Sequence, residues 1–394
     1  MPQYFLLKFV WILLQIVAGL SFLFPVLLML ITSVRRLRKG KEQIHTQLDF
    51  AIIVTAYQQT DLLQDVVDSI LHSDHQLFHV YIVADDCDIT SLYFETDRVS
   101  LLKPEIVLAS NIGSHLYAMQ RFIRNHDVIT IIDSDNVIQY DYLSQLNTVF
   151  NAGFQCVQGV RAARNLNTIY ARLDEAGDMF YRFIDRKLLY EAGSSASLAG
   201  SGMAFKTSLY EECLKKFDIS GAGFDKMLQY ELVKDKYRIA FCERAVLFDA
   251  KTAKSGQLVK QRARWINTWF KYWRLAFKLF FKSIRHLNWN QFAFAVMLLR
   301  PPLFLLFGGV LMFIFVDAFL MPEMIIFWVL MFVLFLFTFF KALAYNKADA
   351  TIYRSLVQIP KFIFFQILAL FRARKANQIS VATKHDVATY KKAN

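Results

Sequence analysis

The sequence holds few of the residues that mark a secreted or a nucleic-acid-binding chain. Four cysteines occur in 394 residues, Cys87, Cys156, Cys213 and Cys242, with no paired spacing. That excludes a disulfide framework and points to a reducing compartment. There is no zinc-finger pattern or other nucleic-acid signature, so no nucleic-acid partner is expected. Neither a Gly-x-Gly-x-x-Gly run nor a Walker loop is present. A phosphate-bearing ligand would therefore be held by metal and basic side chains rather than by a glycine-rich cradle. The first apolar segment lacks a small-residue cleavage site and is too long for the core of a cleaved leader.

What the chain has in excess is apolar surface. Hydrophobic residues make up 55% of it, with 38 phenylalanines, and they are concentrated at the two ends. Residues 4–34 are almost continuously apolar, long enough to span a bilayer with some tilt. The formal net charge is +12, and much of the surplus flanks apolar segments: the run Arg35-Arg36-Leu37-Arg38-Lys39-Gly40-Lys41, residues 271–285 and residues 372–375. Anionic lipid and the positive-inside rule account for cations so placed, which puts the N-terminus outside and the middle of the chain in the cytoplasm. Two further spans are expected over 301–320 and 324–343, joined by a loop that carries Asp317 and Glu323 but no Lys or Arg. Residues 355–371 are apolar but short, with Lys361 in their middle; they are expected to lie flat at the cytoplasmic face, with a fourth span left open. Arg300 marks either the interface, by snorkelling, or a polar path.

Between these ends the texture is that of an α/β domain. Strands are expected over 50–54, 78–83, 105–108, 128–132, 155–160 and 237–248, with helices over 62–71, 113–124 and 167–190. Such alternation predicts a mostly parallel sheet with helices on both faces. From residue 257 a basic and aromatic helix suits a membrane interface. The organisation read from this is 1–34 a transmembrane helix, 35–256 a cytoplasmic α/β domain, 257–299 interfacial helices, 300–345 two spans, and 346–394 an interfacial helix with a basic tail.

The chain is organised around Asp127-Val128-Ile129-Thr130-Ile131-Ile132-Asp133-Ser134-Asp135-Asn136. A β-branched run reads as a buried strand, and it stops at two carboxylates. Residues two apart in an extended segment point the same way, so Asp133 and Asp135 can aim at one place beyond the strand's end. Two hard oxygen ligands suit Mn²⁺ or Mg²⁺, with a substrate's phosphates completing the shell. Three other stations follow this pattern in outline. Asp85 ends a strand, Asp225 follows the Gly-rich turn Gly221-Ala222-Gly223-Phe224 at the expected N-cap of a helix, and Gln261-Arg262-Ala263-Arg264-Trp265 opens the basic helix. Small residues at 194–204, including Gly200, Ser201 and Gly202, allow a backbone to approach a ligand closely.

The order and spacing of these stations resemble membrane-embedded family 2 glycosyltransferases, the group of cellulose, chitin and hyaluronan synthases, over about 49–273. The resemblance implies a GT-A-like fold flanked by transmembrane and interfacial helices, and a UDP-sugar donor. It implies that Asp85 contacts the uracil and that Asp133 and Asp135 form the Asp-x-Asp pair for ribose and metal. It makes Asp225 the general base, places Gln261, Arg262 and Arg264 near the diphosphate, and puts Gly200, Ser201, Gly202 and Trp265 at the acceptor. Phe224 stands where the family often has Glu, and His115 where it commonly has Lys. Residues 379–384, Ile-Ser-Val-Ala-Thr-Lys, resemble a gating loop or form a basic tail. The expected activity is inverting transfer to a growing polysaccharide at the cytoplasmic face of the plasma membrane. Transfer to a polyprenyl phosphate or other lipid is the alternative, and an inactive nucleotide-sugar-binding partner a third reading. Three spans are few for a channel, which leaves a homo-oligomer or an export partner open.

Overall fold

The computed structural model describes residues 2–35, 46–217, 223–252 and 254–373. The basic run at 36–41, Gly221, Ala222, Lys375 and the 379–384 segment lie outside them. The centre is an eight-stranded sheet: β1 Phe50–Tyr57, β2 Phe78–Asp85, β3 Val99–Leu102, β4 Val128–Asp133, β5 Val137–Ile138, β6 Cys156–Ala163, β7 Met203–Lys206 and β8 Ala240–Asp249, in the order β3-β2-β1-β4-β7-β6-β8-β5. β3, β2, β1 and β4 are parallel, as is β6 to β8. β7 runs antiparallel to both β4 and β6, and β5 antiparallel to β8, so the sheet is mixed beyond β4.

Alternation along β1 shows why both faces are covered. Ala51 and Ile53 enter one apolar cluster, whereas Phe50, Ile52 and Val54 enter the other. Each of the larger side chains, Phe50, Ile52, Ile53 and Val54, contributes about 1.5–3 kcal/mol by leaving water. The helix Leu63–Leu71 packs Val66, Val67 and Ile70 on one face, and the long helix from Ile169 to Glu191 packs Phe180, Phe183 and Ile184 on the other. That long helix contains a π-helical stretch, Arg182–Leu188.

Two expected elements shift. The strand expected over 105–108 is irregular, and β3 lies at Val99–Leu102 instead. Both oxygens of the Asp85 carboxylate accept backbone N–H groups, from Leu108 at 2.9 Å and Ala109 at 2.7 Å, which takes those residues out of any ladder. The helix expected over 113–124 runs Asn111–Met119, because Ser110 caps it, accepting from the Gly113 N–H at 3.2 Å.

Among the described residues, four helical stretches are long and apolar enough to cross a membrane: Lys8–Val34, Leu303–Leu320, Met324–Tyr345 and Ala350–Arg372. The last is broken into Ala350–Ser355, a 3-10 turn and Ile359–Arg372. The first three pack together through Phe22, Leu306, Val310, Phe313, Trp328 and Met331. A polar clamp sits within them. Asp317 Oδ1 accepts from Trp11 Nε1 at 2.8 Å and from Gln15 Nε2 at 3.1 Å, and Gln15 Oε1 accepts from Trp328 Nε1 at 3.0 Å.

Candidate active site

The chain lays down β1, β2 and β3 in one direction across the sheet and returns to place β4 on the other side of β1, and ligands of open α/β sheets bind at the carboxyl end of such a switch point. Asp133 is the last residue of β4 and pairs with Thr55 of β1 there. The chain turns at once, with the Asn136 N–H donating to the Asp133 carbonyl at 3.0 Å. Asn136 is fully buried, and its amide donates to Asp135 Oδ1 at 2.7 Å and to Asp249 Oδ1 at 3.2 Å. Its Oδ1 is buried without a partner. One amide thus draws together the Asp-x-Asp turn and the end of β8. Burial, then the charges of Asp135, Asp249 and Asp225, push the Asp133 carboxyl up to about 7, against the pull of Arg161. So much negative charge in a dry place favours a cation there.

A cavity of about 550 Å³ lies over this end of the sheet. Asp133, Asp135, Asp225, Gly200, Gln261, Arg262, Arg264 and Trp265 all line it, although they come from four separate stretches. Asp225 is not the cap of its helix. Gly223, at φ +89°, precedes the helix Phe224–Lys234, and Asp225 lies in the first turn, 3.5 Å from the Lys226 ammonium. A Cβ on Gly223 would come within 2.6 Å of Thr268 Cγ2, so this turn is fitted directly against the helix Ser255–Arg285. On that helix the Arg262 guanidinium pairs closely with Asp174 and lies 4.3 Å from the Trp265 ring. Burial holds the Arg264 guanidinium below its usual range, and Gln261 Oε1 is buried without a partner.

Ser201, Gly202 and Asp85 are not in the lining. Ser201 is fully buried and its hydroxyl accepts from the Asp133 N–H at 3.1 Å, so it braces β4. Gly202 has φ +69° and lies where a Cβ would strike Leu247 at 2.7 Å. Only Gly200 of the three faces the cavity. The loop is fixed by Gln158, whose amide nitrogen donates to the Ser201 and Gly202 carbonyls while its oxygen accepts from the Ala199 N–H at 2.9 Å. Asp85 is 2% exposed at the end of β2, with its carboxylate on the 108–109 turn. His115 is also inside: its Nδ1 is 2.7 Å from the Tyr210 hydroxyl, and burial pushes its imidazole down to about 3.

The structure adds a charged floor that the sequence reading missed. Lys251 is 1% exposed and pairs closely with Asp178, with Asp249 at 3.2 Å and Glu175 at 3.3 Å. Arg161 pairs with Asp249 at 3.1 Å and donates to the Ala199 carbonyl at 3.0 Å. Burial alone would raise the Asp178 carboxyl, but Lys251 and Arg161 hold it well below the usual range. Arg300 neither snorkels nor stands alone: it donates to Asp185 at 2.7 Å in the cavity wall. The signal for this floor was the succession Asp174, Glu175, Asp178, Arg182, Asp185 and Arg186 along one helix, which reads as a solvated face until the helix is seen buried. Among the described residues no group of three or more His, Cys, Asp or Glu side chains forms a cage for a metal. Two carboxylates with open coordination suit a metal shared with a substrate's phosphates.

Comparison with solved structures finds the mannosyltransferase PcManGT from Pyrobaculum calidifontis, solved with GDP-Man and Mn²⁺. It shares 13% identity over 91% of this chain and 96% of its own, with a TM-score of 0.54. TarS of S. aureus is similar at 15% identity over 59% of this chain and 40% of its own, with a TM-score of 0.38. No curated protein matches the sequence. The family model described as "Glycosyltransferase like family 2" matches residues 47–268, more than half of the chain, and takes in every carboxylate and the basic helix motif that line the cavity. With the GT-A-like fold around that cavity and four helices fit to cross a membrane, this chain belongs to the family 2 glycosyltransferases.

Proposed function

We propose that this protein is an inverting, metal-dependent glycosyltransferase that moves a sugar from a UDP-sugar to a saccharide-bearing acceptor, a growing polysaccharide or a glycolipid. The observation that supports this above others is that a single cavity gathers Asp133, Asp135, Asp225 and the segment from Gln261 to Trp265. Asp133 and Asp135 would hold Mn²⁺ or Mg²⁺, which would neutralise charge on the diphosphate as it leaves. Arg264 and Gln261 face the same space and serve the diphosphate oxygens, where a desolvated guanidinium acts strongly. The backbone N–H bonds to Asp85 leave it lone pairs for a uracil N–H.

Asp225 takes the acceptor hydroxyl's proton. Asp225 lines the same cavity as Asp133 and Asp135, where the donor's reacting end would lie. The Lys226 ammonium lies 3.5 Å from the Asp225 carboxylate, beside the oxygen that would accept the proton. One base and one direct displacement invert the anomeric centre. Trp265, 40% exposed and backed by Arg262, offers an apolar face to the acceptor ring. The catalytic domain lies in the cytoplasm under the plasma membrane with the N-terminus outside, since basic residues cluster beside the apolar helices and the 321–323 turn carries none. A polymeric product would call for a second copy or an export partner.

The test is nucleotide release by the purified full chain with Mn²⁺ across a panel of UDP-sugars, with D225N as control. The variant should lose about 10²–10⁴-fold in turnover and keep its affinity for UDP. Turnover retained in D225N would remove Asp225 as the base.

A further inference from the structure

One basic side chain of the cavity has no part in the transfer described above. Arg186 lies in the π-helical stretch, lines the cavity, and has its Nε buried with no hydrogen-bond partner. The acidic groups nearest to it in charge, Asp178 and Asp185, are already paired, with Lys251 and with Arg300. A desolvated donor of this kind is suited to an anion brought from outside.

Past Trp265 the same cavity changes character. Its wall becomes Ile266, Trp269, Leu275, Met297, Leu298 and Phe304. Those residues belong to the basic helix Ser255–Arg285, to the helix Trp289–Leu299 and to the membrane-length helix Leu303–Leu320, with Gln366 of Ile359–Arg372 beside them. One cavity thus joins the carboxylates at the sheet to an apolar wall shared with two helices of membrane length, and Trp273, lining it and 36% exposed, marks a mouth on that side. A free polysaccharide strand drawn through that mouth would strip water from its hydroxyls and meet few groups to replace it. A hydrocarbon chain has nothing to lose there.

We propose that the acceptor is a saccharide carried on an apolar chain through a phosphate, with the phosphate on Arg186 and the chain leaving past Leu298 and Phe304. This rests on the transferase reading and names its acceptor class. The attacking atom is a sugar hydroxyl, which unlike a phosphate oxygen must lose a proton as it attacks, and Asp225 lines the cavity as the base to take it. The hydroxyl oxygen bonds to the donor's anomeric carbon as the bond from that carbon to the diphosphate oxygen breaks. The proton passes to Asp225, and the negative charge leaves on the nucleoside diphosphate.

The test is binding to the full chain in detergent, with and without UDP and Mn²⁺, of farnesyl phosphate, farnesol, glycerol phosphate and a neutral tetrasaccharide. Farnesyl phosphate should bind about tenfold more tightly than each of the others, a difference that R186Q removes. W273A, at an exposed position of the mouth, should weaken it several-fold without touching the buried charges. UDP affinity should stay unchanged in both variants. Equal binding of farnesol would remove the anion site, and equal binding of the tetrasaccharide would assign the cavity to a polymer. A fall in UDP affinity in R186Q would place Arg186 on the donor's diphosphate. Each of these overturns the proposal. UDP failing to bind the unaltered chain while farnesyl phosphate binds would count against the transferase reading alone.

Discussion

At the scale of residues, the site is a problem in placing charge. Asp133 lies where burial and the charges of Asp135, Asp249 and Asp225 make its ionisation costly, so a cation placed there should bind with strong dependence on the carboxylates around it. D135A should reduce Mn²⁺-dependent UDP binding by about tenfold or more while leaving the weaker metal-free binding alone, as calorimetry with and without Mn²⁺ would show. UDP binding that ignores Mn²⁺ in the unaltered chain would overturn the metal assignment. The Asp-x-Asp pair was legible because a run of β-branched residues stops at two acids, which is a local pattern. Arg161, Asp249 and Lys251 were not, because their partnership exists only once β6, β8 and the buried helix are folded together. The bracing role of Ser201 was hidden for a related reason: a small polar residue in a glycine pair looks like a place for a ligand, and the bond from the Asp133 N–H to its hydroxyl exists only in the folded sheet.

At the scale of elements, the base and the basic helix are a fitted pair. Gly223 has a left-handed backbone and no room for a Cβ against Thr268. G223A should cost about 1–3 kcal/mol in backbone strain, before the clash is counted. Its expected result is a lowered melting temperature and a lowered kcat, with Mn²⁺–UDP binding retained, because β4 lies apart from this contact. A variant with full kcat would show that the turn tolerates displacement. Three of the four membrane-length helices and the basic helix were readable from length and hydropathy alone; the fourth, Ala350–Arg372, was expected to lie flat because Lys361 interrupts a short apolar run. The third strand was not, since β3 is only half-buried and carries a weak apolar signature, while the more apolar 105–108 stretch is held off the ladder by Asp85. β7 was invisible because four residues cannot show a period, and its antiparallel place between β4 and β6 is set by neighbours distant in sequence.

At the scale of the whole molecule, the soluble part carries histidines that folding keeps neutral. His79 is buried beside Ser100 and is pushed down to about 4 by that burial, helped by Arg124 and His126. The unfolded chain takes up this proton near pH 6.5 and the folded one near 4. Stability from His79 is therefore complete above about 6.5 and lost as pH falls toward 4. Asp133 works in the other direction, keeping its proton up to about 7. H79Q isolates the first effect: its melting temperature should fall less than that of the unaltered chain between pH 6.5 and 4. Parallel curves for the two proteins would show that His79 is not responsible.

The clamp of Trp11, Gln15 and Trp328 on Asp317 has a consequence for how the protein is made. The helix bearing Asp317 is synthesised some three hundred residues after its two N-terminal partners, and Trp328 follows only with the next helix. If these helices cross a bilayer as proposed, a carboxylate facing lipid at that point would cost a few kcal/mol, so the first helix would have to stay nearby while the whole α/β domain is translated. Removing that helix to obtain a simpler protein would therefore deprive a helix at the far end of the chain of its docking partner, and the defect would surface as failed insertion and degradation rather than as a slow enzyme.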